Sequence, residues 1–508
     1  MTGGRRAGAA GKRVVIVGAG AAGLTAAAVL ASHDVEVTVV ERAATPGGKM
    51  RLIQVGGRLI DGGPTVFTMR WVFEELFQSL NADLDAYIKL HSLDVLARHA
   101  WDDSGYLDLF ADRQRSADAI AAFAGPAEAR RYLSFCDRSR RVYETLEKPF
   151  MRAPAPSVGG LISGVGASGL VRLGRLGAFT SMWQSLGQIF EDPRLRQLFA
   201  RYTTYCGSSP FSAPATLMLV AHVEQEGVWS VEGGMHALAR GLERLATERG
   251  ARFLYQQEAV GFDTEDGRIT GVELASGDRL EADAVLFNGD VAALGSGAFG
   301  AEARAAVPMT PPDKRSLSAL TFSLVGRAHG FPLARHNVFF AGDYRSEFAD
   351  IFQARRVPRT PTVYVCAQDR GQGPPVPDGS SERLFCLVNA PAIADAVPFP
   401  EEDIEPCATR LFDRLKSCGL EVEIDPKAIV PTTPTDFHRL FPATGGALYG
   451  PASHGWKASF ARAGVKRPLR GLYLAGGSVH PGPGVPMASQ SGRMAAREMM
   501  RDWGLTVR

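Results

Sequence analysis

Gly18, Gly20 and Gly23 spell GxGxxG, and Glu41 follows 23 residues after the first of them. This set of residue types suits the binding of a pyrophosphate-bridged dinucleotide. The first glycine permits a tight turn, the second lets the backbone approach the phosphates, and the third lets a helix lie close to a strand. An acid at this distance accepts hydrogen bonds from ribose hydroxyls and would repel the 2′-phosphate of NADP. The surrounding pattern supplies the elements that must hold these groups. Val14–Val17 is a short β-branched strand, Leu24 to Ser32 continues as an alanine-rich helix, and Val35–Val40 is the next strand, with Glu41 at its end. The helix N-terminus offers unpaired N–H groups and a positive dipole end to the phosphates.

Beyond Glu41 and Arg42 come Gly47-Gly48-Lys49-Met50 and then Asp61-Gly62-Gly63-Pro64-Thr65. Each doublet alone reads as a turn. Together, after a dinucleotide fingerprint, they suit a ligand longer than adenosine diphosphate that needs backbone clearance further along, and FAD is such a ligand.

The other end of the chain has a matching texture. Leu472–Ala475 is a short apolar strand, Gly476 to Pro486 is rich in glycine and proline, and Met487 to Asp502 reads as a helix. A ligand in that loop faces the positive end of the helix, which favours the negative charge gained by a reduced flavin. His480 sits among prolines and glycines and reads as structural. In the middle, strands are expected at Ala251–Leu254, Ala259–Phe262, Ile269–Leu274 and Ala284–Phe287, with turns at Asp266-Gly267 and Ser276-Gly277.

Bulk properties narrow the class. The chain has 508 residues, 45% hydrophobic and 22% charged, with a net charge of +2, which suits a globular protein of two or three units and excludes a polyanion binder; no nucleic-acid partner is expected. The six cysteines lack CxxC or CxxH spacing, so no metal site and no disulfide framework is expected. No run of about 18 apolar residues suggests a membrane span. The first apolar run, Val14 to Val17, is too short for a signal peptide, so a cytoplasmic location is expected.

The E-x5-GG-[RK] arrangement resembles the flavoprotein superfamily of amine oxidases and phytoene desaturases. The stretches "GGKM…DGGPTVFTMRWVFEELF", "HAWDDSGYLDLFAD" and "GVWSVEGGMHALARGLERLATERGARF" are similar to bacterial desaturases of 1-hydroxy or 1-methoxy acyclic carotenoids. The closing "SVHPGPGVPMASQSG" resembles the family's closing motif, with Ser478, Val479 and Met487 departing from it.

The resemblance implies an α/β fold with a Rossmann-type FAD-binding domain assembled from 12–70, 230–295 and 465–508. It implies an α+β substrate domain from 71–120 and 296–464, and a helical cap from 121–229. It places Gly18, Gly20, Ala22, Gly23, Glu41, Arg42, Gly47, Gly48, Lys49, Met50, Gly63, Pro64 and Thr65 around FAD. Val260 would border the adenine, and Gly476, Ser478, Val485, Pro486 and Met487 the ribityl chain and ring. The implied reaction inserts a double bond at C3–C4 of the carotenoid, hydride leaving C4 for flavin N5 and a weak base taking the C3 proton. No catalytic side chain is assigned, and oxygen or a quinone would reoxidise the flavin. Another carotene desaturase, a carotene isomerase, an amine oxidase and a flavin-free lipid escort are the alternatives on this scaffold.

A C40 hydrocarbon must be drawn from lipid. The stretch from Arg140 to Ser209 combines Leu161, Ile162, Leu170, Val171, Leu173, Leu176, Phe179, Met182 and Trp183 with Arg172 and Arg175. It reads either as a segment on the inner-membrane surface, making the protein peripheral there, or as a cap helix packed on its own core. Phe67, Met69, Trp71, Phe73 and Trp229 are candidate tunnel lining, and the glycines of 439–456 suggest a loop near the substrate.

Overall fold

The computed structural model describes residues 11–102, 105–155, 177 and 179–505. Five parallel strands form a nucleotide sheet in the order Leu472–Leu474, Ala284–Phe287, Arg13–Val17, Glu36–Glu41, Arg252–Tyr255. Both faces are covered, which is why the first strand is an unbroken β-branched run. Val14 and Ile16 pack into one core, Val15 and Val17 into another.

The helix after the glycine turn, Ala21–Ala31, is buried along its whole length. It lies against the helices Val485–Asp502 and Met235–Glu248. Only small side chains allow this, since a Cβ on Gly492 would come within 2.1 Å of the Ala22 carbonyl oxygen. The hydroxyls of Thr25 and Ser489 meet at 2.7 Å in the same seam. A three-stranded antiparallel sheet, Ala259–Glu265, Arg268–Leu274 and Arg279–Glu281, supplies Ile269, Val272 and Leu274 to the second core. Its pairing slips in register between Ala259 and Gly261, at Val260.

A seven-stranded mixed sheet stands beyond, in the order Glu421–Thr432, Ser318–His329, Ser381–Ala390, Val363–Ala367, His336–Phe339, Val95–Ala100, Tyr106–Phe110. Period-two alternation divides its faces. Leu384, Cys386 and Val388 pack with Leu411 and Leu415 of the helix Ile404–Ser417, while Phe385, Leu387 and Asn389 face a cavity.

Two boundaries differ from the sequence expectation. The hairpin Leu52–Val55 with Arg58–Asp61 buries Ile53, Val55 and Ile60 against Cys366 and Phe385 of the seven-stranded sheet. The helix Arg70–Ser79 instead sends Val72, Phe73, Leu76 and Phe77 into the nucleotide core. An amphipathic pattern predicts that such faces are buried, but not which partner buries them.

Helices Arg113–Ala124, Pro126–Leu146, Met182–Gly187, Pro193–Ala200 and Leu219–Gln225 form a layer packed on Val338, Phe340 and Tyr344. Of the segment read as membrane-facing, Leu161, Ile162, Leu170, Val171, Arg172, Leu173, Arg175 and Leu176 lie outside the described residues. Met182 is fully buried, and Trp183 packs on Phe211 at 4.9 Å between ring centroids, so these two belong to the protein's own core. Phe179 is 68% exposed. No helix among the described residues is long and apolar enough to cross a membrane.

Candidate functional site

The turn between the first strand and its helix is held by backbone and one amide. Gly18 has φ +102°, the left-handed region. A Cβ on Gly23 would lie 2.1 Å from the Gly18 carbonyl oxygen. The Gly23 N–H donates to Asn288 Oδ1 at 2.9 Å, and Asn288 Nδ2 donates to the Ala475 carbonyl at 3.1 Å. Asn288 thus ties the phosphate turn to the neighbouring strand ends. Glu41 is buried, its Oε2 accepting the Ala19 N–H at 2.8 Å and Oε1 the Ala43 N–H at 2.9 Å. A carboxylate oxygen has more than one acceptor site, so capacity for ribose hydroxyls remains.

The later glycine doublets let the chain stack on itself. Gly47 donates its N–H to the Ala19 carbonyl at 2.8 Å, and a Cβ on Gly48 would sit 3.3 Å from the Gly20 Cα. A Cβ on Gly63 would overlap the Lys49 carbonyl oxygen at 1.7 Å. Asp61, just before that glycine, accepts the N–H groups of Met235 at 2.8 Å and His236 at 3.1 Å, capping the helix Met235–Glu248 from a distant segment. The "DGGP" and "EGGM" stretches meet here, since a Cβ on Gly234 would strike Asp61 Oδ2.

The closing loop adds a charged group. Arg462 is buried and, among the described residues, has only backbone acceptors: Nη1 donates to the carbonyls of Tyr449 and Gly477, each at 3.1 Å, and Nη2 to that of Pro451 at 2.7 Å. Lys49 Nζ donates to the Leu448 carbonyl at 2.6 Å and lies 5.0 Å over the Phe441 ring. Burial pushes both cations below their ordinary pKa values. Ser478 Oγ accepts the Val291 N–H at 3.2 Å. Asp290 caps the Ala292 N–H with Oδ1 at 3.1 Å, while its buried Oδ2 has no partner among the described residues. The helix Val485–Asp502 opens at the same wall, with Gly484 as its N-cap at φ +110°.

These parts surround one cavity of about 860 Å³. Every residue assigned to the cofactor from sequence borders it except Gly23, which serves the close packing of helix and strand. Val260, at the register slip, borders it and is 41% exposed. Arg42 borders it and donates to the carbonyls of Arg439 and Leu440. The same cavity includes an apolar chamber walled by Leu217, Val220, Val223, Val338, Phe385 and Leu387. Leu440, Phe441, Tyr449 and Trp456 of the 439–456 loop border it, as its glycines suggested.

Of the five candidate lining residues, only Met69 does so. Phe67 and Phe73 are buried at 5.1 Å from each other, with Trp229 edge-on to Phe67, because this strip closes the nucleotide core. Trp71 is partly buried against the same core and lies under the Arg152 guanidinium. His480 is fully buried, its Nε2 at 2.8 Å from the Phe150 carbonyl, and burial pulls its pKa down to about 4. That is a structural histidine.

Asp290 and Arg462 escaped the sequence reading. Asn288 and Asp290 follow the strand Ala284–Phe287, the place where parallel strands present ligands. Nothing local marks Arg462. The cradle that no methyl could enter, the orphaned Asp290 oxygen and the helix terminus together fit FAD.

A sequence profile of the flavin containing amine oxidoreductase family matches residues 21–500. The chain is 53% identical to the hydroxyneurosporene desaturase of Rubrivivax gelatinosus over 98% of its length and 94% of that protein's. It is 30% identical to the 1-hydroxycarotenoid 3,4-desaturase of Flavobacterium sp. (strain P99-3), covering 96% of this chain and 98% of that one. Among solved structures, an oxidoreductase from Methanosarcina mazei superposes with a TM-score of 0.60 at 16% identity, over 96% of this chain and 100% of that one, which speaks for the fold alone.

Proposed function

This chain belongs to the flavin-containing amine oxidoreductase family and is an FAD-dependent oxidoreductase, and we propose that it desaturates acyclic 1-hydroxy or 1-methoxy carotenoids at C3–C4. The observation that carries the reading is the continuity of the cavity, which passes from the nucleotide cradle into an apolar chamber. The names of its relatives support the substrate class.

Bound FAD supplies the two-electron acceptor. The protein's own part is positional. Val338, Phe385 and Leu387 hold an extended hydrocarbon by burial and exclude water. The helix Val485–Asp502 presents its positive end where negative charge develops. Of the carboxylates that border the cavity, Glu41 is engaged with backbone N–H groups and Glu224 with two tyrosine hydroxyls, while Asp290 keeps an Oδ2 without a partner among the described residues. No side chain is assigned to take the C3 proton.

The test is product analysis. A 1-hydroxy carotenoid carrying deuterium at C3 and C4, incubated in liposomes with the holoenzyme and oxygen or a quinone, should lose two hydrogens there. Recovery of unchanged substrate, or oxidation elsewhere, contradicts the reading.

We also propose peripheral association with the cytoplasmic face of the inner membrane. Support comes from exposed Phe179 and Trp456, which meet edge to face at 5.5 Å and border the cavity. Vesicle sedimentation of the wild type against Phe179→Ser/Trp456→Ser tests it, with loss of the vesicle-bound fraction expected.

A further inference from the structure

Deep in the apolar chamber lies a polar cluster that FAD binding leaves unexplained. Arg201 is 7% exposed and borders the cavity. Its Nη1 donates to the Tyr205 hydroxyl at 3.0 Å, and its Nη2 lies 3.9 Å from Glu224 Oε1, beyond hydrogen-bond reach. Nε and Nη2 have no hydrogen-bond partner among the described residues. Glu224 does not supply one at 3.9 Å, and its oxygens accept from Tyr202, at 2.6 Å, and from Tyr205. Burial opposes the charge on Arg201, and Tyr205, Glu224 and Tyr202 more than offset that. A charged guanidinium with idle Nε and Nη2 donors therefore stands at the wall of a greasy chamber.

Its neighbours place it near the flavin end. Thr65, assigned to the flavin site, shares a hydrogen bond of 2.7 Å with the Tyr364 hydroxyl, and the Arg201 charge acts on Tyr364. Thr321 borders the same chamber with an unpartnered buried hydroxyl. Arginine donates and never accepts. A hydroxyl oxygen and a methyl-ether oxygen both accept, whereas a hydrocarbon end leaves the Nε and Nη2 donors unpaired, and leaving buried donors unmade is costly. In the proposed substrate the C1 oxygen lies only a few bonds from the C3–C4 bond that reacts, so whatever reads it must stand beside the flavin.

Resting on the function proposed above, we infer that Arg201 is the specificity-determining residue, its Nε–H and Nη2–H binding the C1 oxygen of the carotenoid and setting C3–C4 against the flavin. Hydroxy and methoxy ends are both accepted, and the unsubstituted hydrocarbon end is discriminated against.

The experiment compares 1-hydroxy, 1-methoxy and unsubstituted acyclic carotenoids of equal conjugation, in liposomes, by anaerobic reduction of the bound flavin. In the wild type both oxygenated ends should exceed the unsubstituted one by about 10- to 100-fold in kcat/KM. Arg201→Met should bring that ratio below about threefold, by loss on the oxygenated substrates alone, and Arg201→Lys should recover part of it. Should Arg201→Met lose its FAD, Arg201→Met/Glu224→Gln, which removes both charges, is read against the same criterion. A wild type without preference, or a variant that keeps the full preference, overturns the inference. Inertness of all three carotenoids in the wild type would fell the functional proposal itself, and this inference with it.

Discussion

The two ends of the cavity are built on different principles. At the nucleotide end the walls are backbone: Gly18, Gly48 and Gly63 are glycines because another strand of chain already occupies the place of a methyl or because φ is positive. At the substrate end the walls are side chains from remote segments, and polar atoms among them are held by burial against their preference. Arg462, on the cavity wall, donates to backbone carbonyls, and behind the wall Glu347 is buried and bonded to the lining residue Thr362. The first design tolerates no added atom; the second tolerates no lost partner.

Substitutions separate the two. Gly63→Ala drives a Cβ into the Lys49 carbonyl oxygen and should abolish flavin retention, at a cost above about 4 kcal/mol; flavin absorbance per mole of purified protein reads it. Arg462→Met leaves the carbonyls of Tyr449, Gly477 and Pro451 without donors, and urea unfolding of the holoprotein should show a loss of about 3 kcal/mol. A methyl-sized change at Gly63 should therefore do more harm than removing a whole buried charge.

Glu347 adds a pH test of the substrate end. Burial raises its pKa from 4.5 to about 7. The folded state then binds this proton more tightly than the unfolded chain, so the contribution is complete below pH 4.5 and is lost as pH rises to about 7. Glu347→Gln should flatten that part of the stability profile by about 3 kcal/mol, measured by urea unfolding between pH 4.5 and 8. Asp290→Asn keeps the cap on Ala292 but turns the orphaned acceptor into a donor, and should weaken FAD about tenfold, about 1.4 kcal/mol, by fluorescence titration of the apoprotein. Gly342→Ala is the control. Nothing lies within 4 Å of its Cβ, and its stability should stay within about 0.5 kcal/mol of wild type.

The same contrast governs what could be read beforehand. Backbone-made walls leave a local trace, because glycine spacing, a strand and an acid at a set distance lie within a few dozen residues. The residues from Gly18 to Thr65 that border the cavity were legible for that reason, and the closing loop became so through a resemblance. Side-chain walls leave almost none. Arg201 meets Glu224 from 23 residues away, and Arg462 meets carbonyls of three separate loop residues. Phe67 and Phe73 show the limit from the other side: an aromatic strip suits a tunnel and a core equally well, and only the packing around Trp229 decided for the core.

The proposed reaction requires one cavity to set a flavin beside an extended polyene. Anaerobic stopped-flow mixing of the holoenzyme with a 1-hydroxy acyclic carotenoid in liposomes examines that requirement. The flavin absorbance should bleach in the same phase in which the polyene band moves to longer wavelength. An oxidised flavin that persists while the carotenoid spectrum stays fixed would contradict it.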